Sequence, residues 1–261
     1  MLLAIDVGNT QTVIGLYGSG DDSHELLDHW RIATHHDRTC DEHALLFQEF
    51  LSFAGHDWKT DILGVAISSG VPMVTFELRR MCERYLQIDP VVLGTGVKTG
   101  MPVLYDNPKE VGADRIANAI GAFDLYGGPT IVVDFGTATT FDVISEKGEY
   151  LGGSIIPGIE ISLDALFGRA AALRRVELVE PRSVVGKTTV ESVQSGTIYG
   201  YSSMVDGMCA RIQDEVTGES TVIATGGLAD LMSPVAESIE YVEPWLTLHG
   251  LRLIWEKNQS S

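Results

Sequence analysis

Ile5-Asp6-Val7-Gly8-Asn9-Thr10-Gln11-Thr12-Val13-Ile14 is answered about half a chain later by Val133-Asp134-Phe135-Gly136-Thr137-Ala138-Thr139-Thr140-Phe141-Asp142-Val143-Ile144. Each copy is a short apolar strand ending in Asp, a tight Gly-containing turn, and a second strand rich in β-branched residues. Each therefore predicts a β-hairpin whose turn carries one carboxylate, and the repetition predicts a duplicated architecture.

Alternating helical and strand patterns follow each hairpin. In the first half Gly18 to Ser23 reads as a hairpin loop. Thr39-Cys40-Asp41-Glu42 has capping-box spacing, and Leu45, Leu46, Glu49, Phe50 and Phe53 then recur at helical spacing. Ile62 to Ser69 reads as a buried strand, and Val74, Leu78, Met81, Cys82 and Tyr85 as one face of a second helix. In the second half Ser192 to Val216 carries Val193, Tyr201, Val205, Met208 and Ile212 on a long helix, and Thr221 to Thr225 is a strand before Gly226-Gly227. Two α/β domains with a cleft between them are expected, 1–115 and 116–261, divided near the helix that begins around Asp114.

Composition narrows the function classes. A chain of 261 residues with 44% apolar content builds a sizeable core. Its 36 acidic against 18 basic residues give a formal charge of -18, which repels a nucleic-acid backbone and leaves any anionic substrate dependent on a metal ion or a few local cations. Cys40, Cys82 and Cys209 are odd in number and far apart, so buried free thiols are expected rather than a disulfide framework or a metal knuckle. Met1 to Ile5 lacks the basic flank and apolar length of a signal peptide, and no apolar run approaches the roughly 18 residues of a membrane span. A cytoplasmic protein, with no nucleic-acid or membrane partner, is the expectation.

The chemistry is expected at the turns. A Gly turn offers backbone N–H groups to a phosphate while the Asp beside it holds a hydrated cation, and Asn9 and Thr10 add side-chain donors. Asp-x-Gly alone is a common turn; two such turns, one per domain, are what a nucleotide cleft requires. Thr225-Gly226-Gly227, after a strand, allows close backbone approach by an adenosine or a phosphate, or is a plain strand-to-helix turn. Two competing motifs fail: Gly186-Lys187-Thr188 lacks the first P-loop glycine, which is Pro181, and Gly94-Thr95-Gly96 has Thr99 in place of the third dinucleotide-fold glycine. Gly112-Ala113-Asp114-Arg115 places an Asp at a helix start, where the dipole favours its ionised form, beside an Arg able to bind a carboxylate through paired hydrogen bonds. The same residues also fit a capping Asp next to a surface Arg. His35-His36 has no metal-ligand partner at helical spacing and reads as a solvated turn.

Taken in order, Asp6-Val7-Gly8-Asn9-Thr10, Tyr105-x-Asn107-Pro108-x-x-Val111-Gly112-Ala113-Asp114-Arg115, Asp134 to Thr140, Gly152 to Gly158, Gly186-Lys187-Thr188-Thr189 and Thr225-Gly226-Gly227 make the chain resemble the type III pantothenate kinases along almost its full length. One departure is Gly70, in Ser68-Ser69-Gly70-Val71-Pro72, where the family commonly has an aliphatic residue. That position lies outside the catalytic motifs and bears on local packing.

The resemblance implies two ribonuclease H-like domains of the superfamily that joins acetate and sugar kinases, heat-shock chaperone ATPases and actin. It implies transfer of phosphate from ATP to the primary hydroxyl of pantothenate, the first step of coenzyme A synthesis. By the same resemblance Asp6, Val7, Gly8, Asn9, Thr10, Gln11, Thr12 and Val13 cradle the ATP phosphates, with Mg²⁺ held near Asp6 through water, and Thr137 makes a further nucleotide contact. Asp134 binds a monovalent cation, potassium or ammonium. Tyr105, Gly112, Ala113, Asp114, Arg115 and Thr189 form the pantothenate site, with Asp114 as general base and Arg115 on the substrate carboxylate. A homodimer is implied as well. The duplicated turns alone would equally permit another small-molecule kinase of this fold, and relatives described as accessory factors for transcription keep a non-catalytic regulator in view.

Overall fold

The computed structural model describes residues 1–170 and 173–259. In chain order its elements are β1 (Leu2–Val7), β2 (Gln11–Tyr17), β3 (Leu26–Ala33), α1 (Cys40–Phe53), β4 (Gly64–Ser69), α2 (Pro72–Met81), β5 (Val91–Val92), α3 (Ala113–Tyr126), β6 (Thr130–Phe135), β7 (Ala138–Ile144), β8 (Tyr150–Pro157), α4 (Ile159–Arg169), α5 (Thr189–Glu215), β9 (Thr221–Thr225), α6 (Ala229–Met232), β10 (Tyr241–Val242) and α7 (Leu246–Gln259). They form two five-stranded sheets with the same strand order, β3-β2-β1-β4-β5 and β8-β7-β6-β9-β10. In each, the hairpin and its following strand are antiparallel, and the first strand pairs in parallel with the fourth. The repeat expected from the two hairpins thus extends to the whole sheet.

The strands meet the burial that their composition calls for. β1 and β6, central and covered on both faces, are almost continuously buried, whereas the edge strand β3 alternates between half-buried and exposed residues. The loop at Gly18 to Ser23 closes the antiparallel β2/β3 pair through a short 3₁₀ turn, Gly20–Asp22, and Cys40, Cys82 and Cys209 are buried free thiols.

Two of the helical expectations hold with adjusted ends. Val74, Leu78 and Met81 are the buried face of α2, which passes through a π-helical turn, Cys82–Leu86, before Gln87 stops it in the left-handed conformation. α5 starts earlier than expected because the Thr188 hydroxyl accepts the Glu191 N–H and caps it. In α1 the capping box at Thr39 and Glu42 is present, but the expected stripe is corrected: Leu45 is 64% and Phe53 82% exposed. The buried row is Cys40, His43, Ala44, Phe47 and Leu51, flanked by partly buried Leu46 and Phe50.

The described chain forms two compact units. One comprises Met1–Met101, Asp106–Gly121 and the stretch from Leu246; the other comprises Pro102–Tyr105 and Ala122–Trp245. A single cut after residue 115 therefore differs from the structure in two ways: α3 is divided near Gly121, and α7 belongs with the first unit. Gly250 of α7 lies so close to the Ala117 carbonyl of α3 that a Cβ would overlap it, and the Thr247 hydroxyl donates to Asn118 Oδ1 at 2.6 Å. Close helix contact of this kind holds the chain's last helix to its first half.

Candidate active site

Asp6 stands one residue before the end of β1, level with Val13 of β2 and Ser68 of β4. Beyond it the chain turns at Gly8, whose N–H donates to the Gln11 carbonyl at 3.0 Å. Thr34, just after β3, braces this turn three times: its N–H donates to Thr10 O at 2.9 Å, its hydroxyl donates to Gly8 O at 2.8 Å, and that hydroxyl is 2.8 Å from the Thr12 hydroxyl. Of the expected nucleotide residues, Asn9, Thr10 and Gln11 are exposed at the tip, Asp6, Gly8 and Val13 are half-buried, and Val7 and Thr12 lie inside. The tip is what this hairpin presents outward; Thr12 turns its hydroxyl inward to Thr34. The buried Ser68 hydroxyl, beside Asp6 in register, has no hydrogen-bond partner among the described residues.

The second turn repeats the first with one residue fewer. Gly136 N–H donates to Ala138 O at 3.1 Å, and Gly158, in the place of Thr34, donates its N–H to Thr137 O at 3.1 Å. Gly136 and Thr137 are exposed and Asp134 is half-buried. A Cβ at Gly158 would overlap the carbonyls of Gly136 and Thr137, so the tighter turn leaves no room for a threonine there. Thr139, the counterpart of Thr12, consequently has a buried hydroxyl without a partner among the described residues. At Gly226, after β9 with φ +91°, a Cβ would overlap Asp134 Oδ1 and displace the carboxylate, whereas one at Gly136 would stand 3.5 Å from the same oxygen.

The segment before α3 is built from local polar contacts. Asn107 Oδ1 accepts the Lys109 N–H at 3.4 Å and Asn107 Nδ2 donates to Glu110 Oε1 at 2.7 Å, closing the 3₁₀ turn Pro108–Glu110. Gly112 O accepts the Ile116 N–H at 3.2 Å as the first helical bond. Asp114 is exposed, with Oδ1 accepting the Arg115 N–H at 2.8 Å, while Arg115 is only 8% exposed. The neighbouring pair is thus divided between an outward carboxylate and a sheltered guanidinium, contrary to a surface Arg. Tyr105, in the second unit, packs its ring against Tyr150 with centroids 6.5 Å apart and covers Gly152.

Thr189 is the first residue of α5. With Ser162, Leu163, Val193, Thr197 and Tyr201 it lines a groove of about 450 Å³ on α4 and α5. Gly186-Lys187-Thr188 is the cap of this helix: Glu191 accepts the Lys187 N–H at 2.9 Å and faces Arg182, and these contacts hold its carboxyl below the usual carboxylate range. The structure therefore joins Gly112, Ala113, Asp114 and Arg115 in one turn of the first unit, and keeps Tyr105 and Thr189 in the second.

Both expected cation positions fit by chemistry. Oxygen donors suit a hard divalent cation, and Asp6, Thr10 and Ser68 offer carboxylate and hydroxyl oxygen near the first turn. At the second, Asp134 Oδ1 lies where a Cβ on Gly226 would intrude, with Gly136 at ordinary contact distance beside it. Among the described residues no group of three or more His, Cys, Asp or Glu side chains could hold a metal alone, so a cation here would need a nucleotide's oxygens as further ligands.

A family model described as type III pantothenate kinase matches residues 2–211. The chain belongs to the type III pantothenate kinase family. It is 53% identical over 258 residues to a protein of that name from Moorella thermoacetica, covering 99% of this chain and 100% of that one. A second, from Streptomyces griseus, is 54% identical over 267 residues, covering 100% and 99%. The activator of 2-hydroxyisocaproyl-CoA dehydratase from Clostridium difficile, solved with bound ADPNP, superposes with a TM-score of 0.57 at 12% identity over 100% of this chain and 97% of that one. That likeness shows the fold alone, the actin-like ATPase and sugar kinase fold. No helix among the described residues is long and apolar enough to cross a membrane.

Proposed function

We infer that this chain phosphorylates the primary hydroxyl of pantothenate with ATP, and that Asp114 is the base that accepts the hydroxyl proton. Family membership at more than half identity over the full length supports the reaction. The observation that supports the role is the exposed Asp114 carboxylate, fixed by a main-chain N–H beside the sheltered Arg115. Phosphoryl transfer asks the protein mainly for positioning and charge neutralisation rather than covalent help, so one oriented base is sufficient. Arg115 pairs with the substrate carboxylate, and Gly112, Ala113, Tyr105 and Thr189 shape the pantothenate site.

ATP phosphates lie on the Asp6 to Gln11 turn, with Asn9 and Thr10 at its tip as the donors, while Val7, Thr12 and Val13 supply the strand ends. Thr137 makes a further nucleotide contact. A divalent cation, as in kinases generally, neutralises phosphate oxygens, with Asp6 as its protein anchor through water. Asp134 holds a monovalent cation, potassium or ammonium. A homodimer in the cytoplasm completes the reading.

Steady-state kinetics of two variants test it. Asp114→Asn should lower kcat by about 10²- to 10⁴-fold with the ATP KM nearly unchanged. Arg115→Ala should chiefly raise the pantothenate KM, because a charge-assisted contact present in ground and transition states is lost. A kcat for Asp114→Asn within about twofold of the parent would mark the residue as a helix cap, since Asn caps about as well as Asp.

A further inference from the structure

We propose that Gly112 is a positioning residue for the Asp114 carboxylate and acts through the side chain it lacks. The inference rests on the reading of Asp114 as the base. A Cβ built on Gly112 would stand 2.5 Å from Asp114 Oδ1, well inside the 3.0 Å that real Cβ contacts respect. That oxygen is the one that accepts the Arg115 N–H at 2.8 Å. The absent methyl therefore leaves open the rotamer in which the carboxylate is fixed at the helix start.

Gly112 is unlike the other glycines around the candidate site. Its φ lies outside the left-handed region, so alanine is admissible for its backbone. Its next nearest neighbours, Asp114 Cγ and Arg115 Cγ, are at an ordinary 3.7 Å, and no main-chain atom is in the way. At Gly226 the φ of +91° makes any side chain strained, and at Gly158 a Cβ would overlap main-chain carbonyls. Substitution at those two positions would distort the turn itself, whereas at Gly112 it displaces one flexible carboxylate oxygen. The first helical bond, Gly112 O to Ile116 N–H, uses main-chain atoms and survives the change.

A base must lie within hydrogen-bond reach of the proton it takes, and a misplacement of about 1 Å costs on the order of 10²-fold in rate. Alanine at 112 would swing the Asp114 carboxylate off the Arg115 N–H while leaving its charge in place.

The test is a double-mutant cycle in the full-length protein, with Gly112→Ala measured alone and in an Asp114→Ala background. Alone, Gly112→Ala should lower kcat by about 10- to 100-fold while the ATP KM and the thermal midpoint stay near those of the parent. In the Asp114→Ala background, at saturating pantothenate, it should change kcat by less than about twofold, because the group it positions is gone, while its effect on the shape of the pantothenate site is read separately in the pantothenate KM. An equal loss in both backgrounds would assign Gly112 a contact of its own and overturn the proposal. So would an unchanged kcat for Gly112→Ala, or a variant that fails to fold, since only a side-chain oxygen should move. The reading of Asp114 as base fails separately, through a parent-like kcat for Asp114→Ala alone.

Discussion

Thr34 gives the first turn a support that no local pattern announces. It follows an ordinary amphipathic strand and precedes the polar His35-His36, and only the return of β3 alongside β2 brings its hydroxyl to Gly8 and Thr12. Thr34→Val keeps the shape and removes the hydroxyl, leaving the Gly8 carbonyl and the Thr12 hydroxyl short of a partner. The cost should be about 1–3 kcal/mol, read as a lower urea midpoint at unchanged slope, with a raised ATP KM and an unchanged pantothenate KM. Asp6, Asp134, Asp114 and Arg115 stand out in the sequence as candidates, because charged residues beside glycines in turns carry distinctive chemistry. Thr34, Gly158 and the inward face of Thr12 do not, because each depends on what a third strand brings alongside. The departure at Gly70 turns out to be mild: a Cβ there would meet nothing within 4 Å, so an aliphatic side chain would add little packing.

At the scale of elements, α1 illustrates how a polar residue conceals a buried face. The row Cys40, His43, Ala44, Phe47 and Leu51 has the right period, but His43 breaks its apolar character, and the more hydrophobic Leu45 and Phe53 drew the expected stripe away. His43 is 1% exposed, sits edge-on to Phe47, and has no hydrogen-bond partner on either ring nitrogen among the described residues. Burial first, then the nearby Arg38 charge, push it from 6.5 down to about 4. Unfolded chains bind that proton and folded ones refuse it, so this contribution to stability is intact above 6.5 and is lost as pH falls toward 4. Urea unfolding at about pH 7.5 and about pH 5 should differ by roughly 2 kcal/mol on this account, and His43→Leu should flatten that part of the difference. A pH profile identical in both proteins would remove His43 as its source. The two hairpins, by contrast, were legible as elements, because Asp, Gly and β-branched residues recur in the same order. Their one-residue difference in turn length appears only in the strand register, where Asp6 faces Val13 and Asp134 faces Thr140.

For the whole molecule, duplication was the readable feature, and it extends to two sheets of identical strand order. The division of the chain was not readable, because α7 belongs to the first unit through close contacts that a linear reading of composition does not encode. Net charge also acts at this scale. A chain of formal charge -18 offers little general attraction to ATP, so the reading of Asp134 as a cation anchor predicts activity that needs potassium or ammonium and falls sharply in sodium alone. Asp134→Asn should weaken that dependence, and equal rates in potassium and sodium would remove the role. The reaction itself is tested most directly by a coupled assay of ADP release from the purified protein with ATP, magnesium and potassium, with and without pantothenate. The account predicts ADP release that depends on pantothenate and matches the phosphopantothenate formed; ADP release indifferent to pantothenate, or none from a folded protein, would contradict it.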